Sequence, residues 1–401
     1  MKNIINKILI LFTAAFVWTG CIEETYPESQ AILKDQVTIE GLVNSFSVTM
    51  MTPDMCQFLS SYGSQADFGI PAIHIMTDAM CEDIAVMGSN PGYFQFYPWA
   101  YNLGMDDQSW PTGYFWEHYY KYIKISNDVI RWINAEEEFL DSYNDYLGQA
   151  YTYRAMCYLD LARLYEPKDN VEAPVPSNIV ELTVPIVDEN TTIEQTKNNP
   201  RVDRATIYTF IFNDLERAQE YIDASFKTYS QPTLMAIYGM YARAYIELGY
   251  SDDPAFPAKD SFRKAADYAR KVIDESGRTP LTQAQWEDPA TGFNNGAANN
   301  AWIWGLTTTS ENLNNLLTFI SHMSGEAAWG YARYAQFGVS KRLYDAIPDV
   351  DWRKHSWLDP KREDYYAYKF AGDEKDKDDF LNGMPAARDY QALKFRPAMG
   401  E

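Results

Sequence analysis

The sequence predicts a mostly helical protein in which a TPR-like (tetratricopeptide-like) array of helical hairpins packs against a loop-rich, irregular half. Three observations predict it. Between residues 110 and 276 apolar residues recur at i, i+3 and i+4 through several successive segments. Inside those segments small Ala and Gly residues alternate with aromatics, as stacked hairpins require. Between about residues 60 and 110, and again over 277–401, the texture changes to Gly, Asn, Pro and Trp with little periodicity.

The N-terminus comes first in the chain and bears most on where the protein works. Lys2 and Lys7 make a positive segment, Ile8 to Trp18 an apolar run too short to span a bilayer, and Thr19-Gly20 the small residues before Cys21. Residues 1–20 therefore read as a lipoprotein signal peptide, with Cys21 lipidated and 21–401 forming the body. An ordinary secretory signal with an incidental cysteine is the alternative. No later apolar run approaches the roughly 18 residues of a membrane helix, so attachment is expected through Cys21 alone. The formal charge of −22 repels phosphate backbones and anionic lipid surfaces, which excludes nucleic acid as an expected partner.

The remaining cysteines, Cys56, Cys81 and Cys157, have neither zinc spacing nor a disulfide framework. Cys157 falls on an apolar stripe and reads as a small hydrophobe. A Cys56–Cys81 bridge is compatible with an oxidising compartment and stays open.

The helices follow in order. Trp110–Ala135 carries Phe115, Tyr119, Tyr122, Ile123, Val129, Ile130 and Ile133 on one face, and Gln149–Tyr165 repeats the pattern with Ala150, Cys157, Tyr158, Leu161 and Leu164. These two are expected as an antiparallel pair. A loop from Glu166 to Pro200 follows, with few helical contacts to offer. Asp203 is placed to cap a helix bearing Ile207, Phe210, Ile211, Leu215, Ala218 and Ile222. Pro232 suits the first turn of the next helix, which Gly249 ends. A further helix is expected to turn Phe262, Ala265, Ala269, Val272 and Ile273 inward, and a short one covers Ser340–Ile347.

Few residues suggest catalysis. His74, His118, His322 and His355 are scattered without H-E-x-x-H spacing, and neither G-x-S-x-G nor a P-loop occurs. No metal and no cofactor is expected. The run Asp373–Asp379 lacks EF-hand spacing and reads as a solvated loop rather than a calcium site. Aromatics make up 15% of the chain, with 11 Trp and 30 Tyr, many in loops. Sugars present apolar C–H faces rimmed by hydroxyls, so aromatic faces beside amides and carboxylates suit them. Tyr97, Trp99, Tyr101 and Asn102 stand beside Asp106 and Asp107 in such a loop, although the same rings would also serve as packing between the two halves. Trp302, Trp304, Trp116 and Trp132 read as packing, and Arg154, on an apolar stripe, as a buried arginine paired with a carboxylate.

Several motifs in order resemble the SusD/RagB-like outer-membrane nutrient-binding lipoprotein family of Bacteroidetes. Ala150, Arg154-Ala155, Tyr158, Leu161 and Tyr165, then Val175-Pro176, match its central helix, with Glu166 in place of a glycine. Pro185-Ile186-Val187 and RATIYTFIFNDLERA echo its next signature. Ala242-Arg243-Ala244-Tyr245 and AADYARKVID match its TPR-like segment, and Trp302-Ile303-Trp304 looks like its E-x-I-[FW] strand with Asn300 for Glu. Family members usually continue past the segment matched by Lys394-Phe395, so the C-terminal part of the family fold is expected to be missing from this chain.

The resemblance implies a surface-exposed, lipid-anchored protein of the outer membrane that captures oligosaccharide or polysaccharide and passes it to a SusC-like TonB-dependent transporter, without catalysis. It implies a ligand rim built from Asp83, Trp99, Tyr101, Asn102, Trp329 and Tyr331. Two other readings remain: a secreted all-helical glycoside hydrolase, needing two carboxylates roughly 5 to 9.5 Å apart, for which Asp83 and Asp106 are one candidate pair, and a peptide-binding member of the same family.

Overall fold

Helices form wherever the apolar i, i+3/i+4 spacing is strong. The structure, a computed structural model, describes residues 38–50, 66–81, 83–87, 110–168, 174–223, 225, 228–288, 292–293, 295–306, 317–323, 331, 336–360 and 389–395. The chain divides into two units, Met1–Thr38 and Ile39–Glu401, and every element named here belongs to the second. The signal segment, Cys21, Cys56 and the Asp373–Asp379 run lie outside the described residues. Cys81 carries a free, exposed thiol and Cys157 a free, buried one, which burial pushes upward in pKa and makes inert.

Helix α1 (Ile39–Thr49) buries Leu42, Val43 and Phe46. Helix α2 (Ile70–Met80) begins after Gly69, whose φ of 75° lies in the left-handed region that glycine tolerates. The Gly69 amide donates to the Tyr114 hydroxyl at 3.1 Å. Strand β1 (Ile84–Met87) follows α2.

Helices α3 (Trp110–Asn134) and α4 (Ser142–Tyr165) form the expected hairpin. Asn127 bonds Arg154, Tyr119 bonds Asp160, and Thr112 bonds Tyr165, one number rising as the other falls, which is antiparallel packing. Helix α4 starts seven residues before the expected Gln149, because its first two turns pack Leu147 and Gly148 inward. Phe46 of α1 stacks on Tyr153 of α4 with centroids 4.4 Å apart.

The segment from 174 to 203 is better anchored than its composition implies, and this corrects the expectation of a loosely attached loop. Tyr120 donates to the Pro185 carbonyl at 2.5 Å, and Asn127 to the Val187 carbonyl at 2.9 Å. Tyr158 bonds both the amide and the carbonyl of Val187. A single turn, α5 (Ile193–Thr196), is closed by a capping box between Thr192 and Gln195.

Asp203 caps α6 (Arg204–Tyr221), accepting from the Thr206 amide at 2.7 Å. Helix α7 (Leu234–Gly249) has Thr233 at its N-cap, so Pro232 precedes the helix instead of opening it. Gly249 lets the Phe262 ring approach closely: a Cβ there would lie 2.5 Å from the ring, which would have to shift. Helix α8 (Ala258–Glu275) runs back along α7, with Tyr268 stacked 4.4 Å from Tyr241. Its apolar stripe is only partly covered. Ser261 and Ala265 are buried, whereas Phe262 is 37% exposed and Ile273 61% exposed, contrary to the expected inward face. The line of small residues fits against α7, and no described element covers the other flank of the stripe.

The second half carries short elements: α9 (Gln283–Glu287), α10 (Phe319–Met323), β2 (Gln336–Val339), α11 (Lys341–Ala346) and a 3-10 turn (Trp352–Ser356). β2 pairs antiparallel with β1, Ile84 opposite Val339 and Met87 opposite Gln336. Residues 389–395 lie along β2 through a bridge from Gly338 to Gln391. Trp302-Ile303-Trp304 bends rather than forming the expected strand. Asn300 bonds the Gly277 carbonyl at 2.8 Å and accepts from Arg278, pinning the bend to the end of α8.

Two charge networks hold the hairpins together. Arg154 is nearly wholly buried and donates to Asp214 at 2.8 and 2.7 Å, to Asn127 at 2.6 Å and to Glu189 at 2.6 Å. Arg204 is bonded to Glu166, whose other oxygen takes Lys168 at 2.9 Å. The glutamate that replaces the family's glycine is therefore the buried partner of the arginine opening α6.

These packings make distinct predictions. A Cβ on Gly148 would lie 2.6 Å from the Ile222 backbone nitrogen, so Gly148→Ala should lose about 1–3 kcal/mol, because backbone cannot retreat as a side chain can. Gly239 has nothing within 4 Å of its Cβ position, so Gly239→Ala should gain about 0.5–1 kcal/mol from helix propensity. Urea denaturation of the two variants checks both signs. Arg154→Met strands two carboxylates and should cost about 3–5 kcal/mol, whereas adding Asp214→Leu should recover part of it, Glu189 staying without its partner; the double-mutant cycle with Asp214→Leu alone reads the coupling.

Candidate functional site

The predicted rim is only partly visible. Trp99, Tyr101, Asn102 and Trp329 lie outside the described residues, as do Tyr97, Asp106 and Asp107. Asp83 is exposed just before β1, its carbonyl accepting from the Ser340 amide at 3.0 Å at the Val339 end of the ladder. Tyr331 is half-buried against α10. Its amide donates to Ser321 Oγ at 3.2 Å, and its ring lies 4.6 Å from that of His322, which stacks on Phe68 at 4.4 Å. Asp83 and Tyr331 are thus held by different neighbours.

Phe319 of α10 leads toward a cavity that the sequence did not reveal. Phe319 packs edge-on against Phe395 at 4.6 Å, and Phe395 against Phe293 at 5.6 Å. Phe293 is 5.2 Å from Trp286 and 5.5 Å from Trp302, and Trp286 meets Trp352 at 5.5 Å with their planes 67° apart. Of these rings, Trp286, Phe293, Trp302 and Trp352 line an open cavity of about 800 Å³. Trp302, expected in the core, is half-buried and forms part of this wall. Trp116 does pack as expected, edge-on against Tyr165 at 5.2 Å.

Local structure fixes the rings. Thr282 and Gln285 form a capping box that starts α9 and places Trp286, whose Nε1–H donates to Ser356 Oγ at 2.9 Å. Asp351 caps the 3-10 turn by accepting from the Arg353 amide at 3.1 Å, which sets Trp352. The Lys394 ammonium sits 3.8 Å from the Phe293 centroid and 4.7 Å from that of Trp286. Burial pulls its pKa down to about 8, while the ring faces favour the ammonium.

The cavity lining carries one pair of opposite charges, Asp351 and Arg353, and further pairs follow on the same turn. Arg353 holds Asp351 through two bonds of 2.8 and 2.6 Å. Lys354 holds Asp349 at 2.7 Å and His355 lies 3.1 Å from Glu287. Among the described residues no group of His, Cys, Asp and Glu is arranged to hold a metal ion, and no helix is long and apolar enough to cross a membrane. The sequence offered no signal for this site, since Trp286, Trp302 and Trp352 are far apart in the chain and share no period.

An array of antiparallel helical hairpins carrying an aromatic, loop-built cavity at one side defines a helical-repeat binding scaffold. A family described as "Starch-binding associating with outer membrane" matches residues 43–246, just over half of the sequence, and the chain belongs to this SusD-like family. No curated protein matches the chain. Among solved structures it is similar to a SusD-like carbohydrate binding protein from Bacteroides vulgatus ATCC 8482, with 21% identity and a TM-score of 0.61, covering 80% of this chain and 60% of that one. It is similar to a SusD superfamily protein from Bacteroides thetaiotaomicron VPI-5482, with 15% identity and a TM-score of 0.61, covering 90% and 69%. A third structure, solved with xylogluco-oligosaccharide, has 15% identity and a TM-score of 0.51, covering 79% and 57%. The chain therefore spans 57% to 69% of the length of these proteins.

The position of Lys394 has a pH consequence. The unfolded chain keeps that proton up to the ordinary value of 10.5, while the folded chain releases it at about 8, so between these pH values the unfolded state binds more protons and stability rises with pH. In Lys394→Met that rise should flatten. Denaturation midpoints measured from pH 7 to 10.5 check it.

Proposed function

We propose that the protein captures oligosaccharide at the outer face of the outer membrane, held there by lipid on Cys21, and passes it without cleavage to a SusC-like TonB-dependent transporter. The observation that carries this reading is membership, through residues 43–246, of a family described as starch-binding and associated with the outer membrane. A structural neighbour solved with xylogluco-oligosaccharide supports the ligand class. The ligand rim consists of Asp83, Trp99, Tyr101, Asn102, Trp329 and Tyr331. Stacking dominates there: a ring that covers a sugar face removes apolar area from water at about 25 cal/mol per Å², whereas each exposed hydrogen bond contributes roughly 0.5 to 1.5 kcal/mol.

Calorimetric titration of the purified chain with maltoheptaose and a xyloglucan oligosaccharide tests the reading. Saturable binding is expected, with Trp99→Ala or Trp329→Ala weakening it at least tenfold, about 1.4 kcal/mol, while the helical circular-dichroism signal stays. No new reducing ends should appear on long incubation. A folded wild type that binds neither sugar overturns the proposal, and turnover abolished by mutating a carboxylate replaces it with the hydrolase.

A further inference from the structure

We propose that the cavity walled by Trp286, Phe293, Trp302 and Trp352 is a second sugar site, which takes neutral pyranose units independently of the Asp83 to Tyr331 rim. It rests on the reading of the chain as an oligosaccharide binder and adds a site to it.

Size, shape and charge converge on that ligand. At about 800 Å³ the cavity lies within the range of roughly 300–1,000 Å³ that small-ligand sites occupy. Trp286 and Trp352 meet at 67° and so form a corner. A pyranose can lay its C–H face on one indole and turn its edge to the other, gaining apolar burial on two sides. Its hydroxyls then face the Asp351–Arg353 pair, which lines the same cavity and offers carboxylate acceptors beside guanidinium donors.

Of the charged side chains that line the cavity, Arg353 is matched by Asp351. The chain as a whole carries −22, which disfavours a phosphate or an acidic sugar. A purely apolar guest, such as an acyl chain, would leave the Asp351–Arg353 edge without use. A neutral polyol ring uses both surfaces.

The site is also built before any ligand arrives. The bond from Trp286 to Ser356, the cap of Asp351 on the 3-10 turn and the Lys394 ammonium over Trp286 and Phe293 hold the rings in place. Binding then orders few side chains, which lowers its entropic cost. Val350, 92% exposed, lies at the mouth and leaves it open to solvent.

The test uses the full chain, titrated calorimetrically with maltoheptaose and with a xyloglucan oligosaccharide. In a Trp99→Ala background, residual sugar binding is expected to persist, and adding Trp352→Ala should weaken it about tenfold or more by removing a stacking face. Arg353→Gln should weaken it about threefold, the scale of one exposed hydrogen bond; with its side chain 65% exposed, that variant keeps the fold even where Trp352→Ala melts early. Indole fluorescence should change on sugar addition and change less without Trp352. If the wild type binds sugar but the Trp99→Ala chain binds none, or binds it equally well after Trp352→Ala or Arg353→Gln is added and the chain stays folded, the second site is overturned while the proposed function stands. If the wild type binds no sugar, the proposed function falls and the second site with it. If oleate enters the cavity and neither sugar competes with it, the site belongs to an apolar ligand and the inference is wrong.

Discussion

The guanidinium of Arg154 is the constraint on which the helical half depends. It sits on the face of α4 that three other segments must meet, and it touches one acceptor from each: Asn127 of α3, Asp214 of α6 and Glu189 of the 174–203 segment. A planar group with five donors is suited to this, since its bonds have fixed directions and so fix the directions of what they join. Hydrophobic burial supplies most of the free energy in this region, but it is tolerant of small rotations and slides. The arginine is not tolerant of them. The ring faces of Tyr151 and Phe210, 5.3 and 5.1 Å from the guanidinium carbon, close its remaining sides.

The same economy recurs at the other end of the hairpin, where Arg204 and Glu166 join the start of α6 to the end of α4. Between the two charge pairs the helices touch through Tyr158 and Phe210, edge to face at 5.3 Å, and beyond Arg154 and Asp214 through the bare backbone of Gly148 against Ile222. α6 is therefore set against α4 by charge near the middle and at one end, and by close backbone approach at the other. Past α7 no comparable pair appears among the described residues. α7 meets α8 through stacked tyrosines, and α8 leaves Phe262 and Ile273 partly in water.

What could be read in the sequence follows from range. The long helices from 110 onward and the Asp203 cap were legible because their signals are local: Asp203 needs only the amide of Thr206. The pairing of Arg154 with a carboxylate was legible in kind, because a charge on an apolar stripe needs a counter-charge, but which acid answered it depended on topology. The inward face assigned to α8 was wrong because periodicity identifies a stripe without saying whether anything covers it. The anchoring of the 174–203 segment was invisible for a related reason: its bonds run from Tyr120, Asn127 and Tyr158 to backbone carbonyls, and backbone leaves no trace in composition. Of the six rim residues drawn from the family resemblance, only Asp83 and Tyr331 lie among those the structure describes.

The aromatic cavity was the least legible feature, and its physics explains why. Trp286, Phe293, Trp302 and Trp352 are brought together by a capping box, a 3-10 turn and the strand-like run 389–395, each of them short and none periodic. A core built this way needs large rings, since few residues must cover much area, and rings packed edge to face leave corners that side chains do not fill. In a helical core such corners close because neighbouring turns interdigitate. Here the walls come from segments with no register between them, so the corner stays open, and the indoles that give this half its cohesion also give it a surface able to stack on a ligand. In the proposed second site the loop-rich half uses the same indoles for packing and for binding, whereas the helical half keeps most of its large side chains for packing.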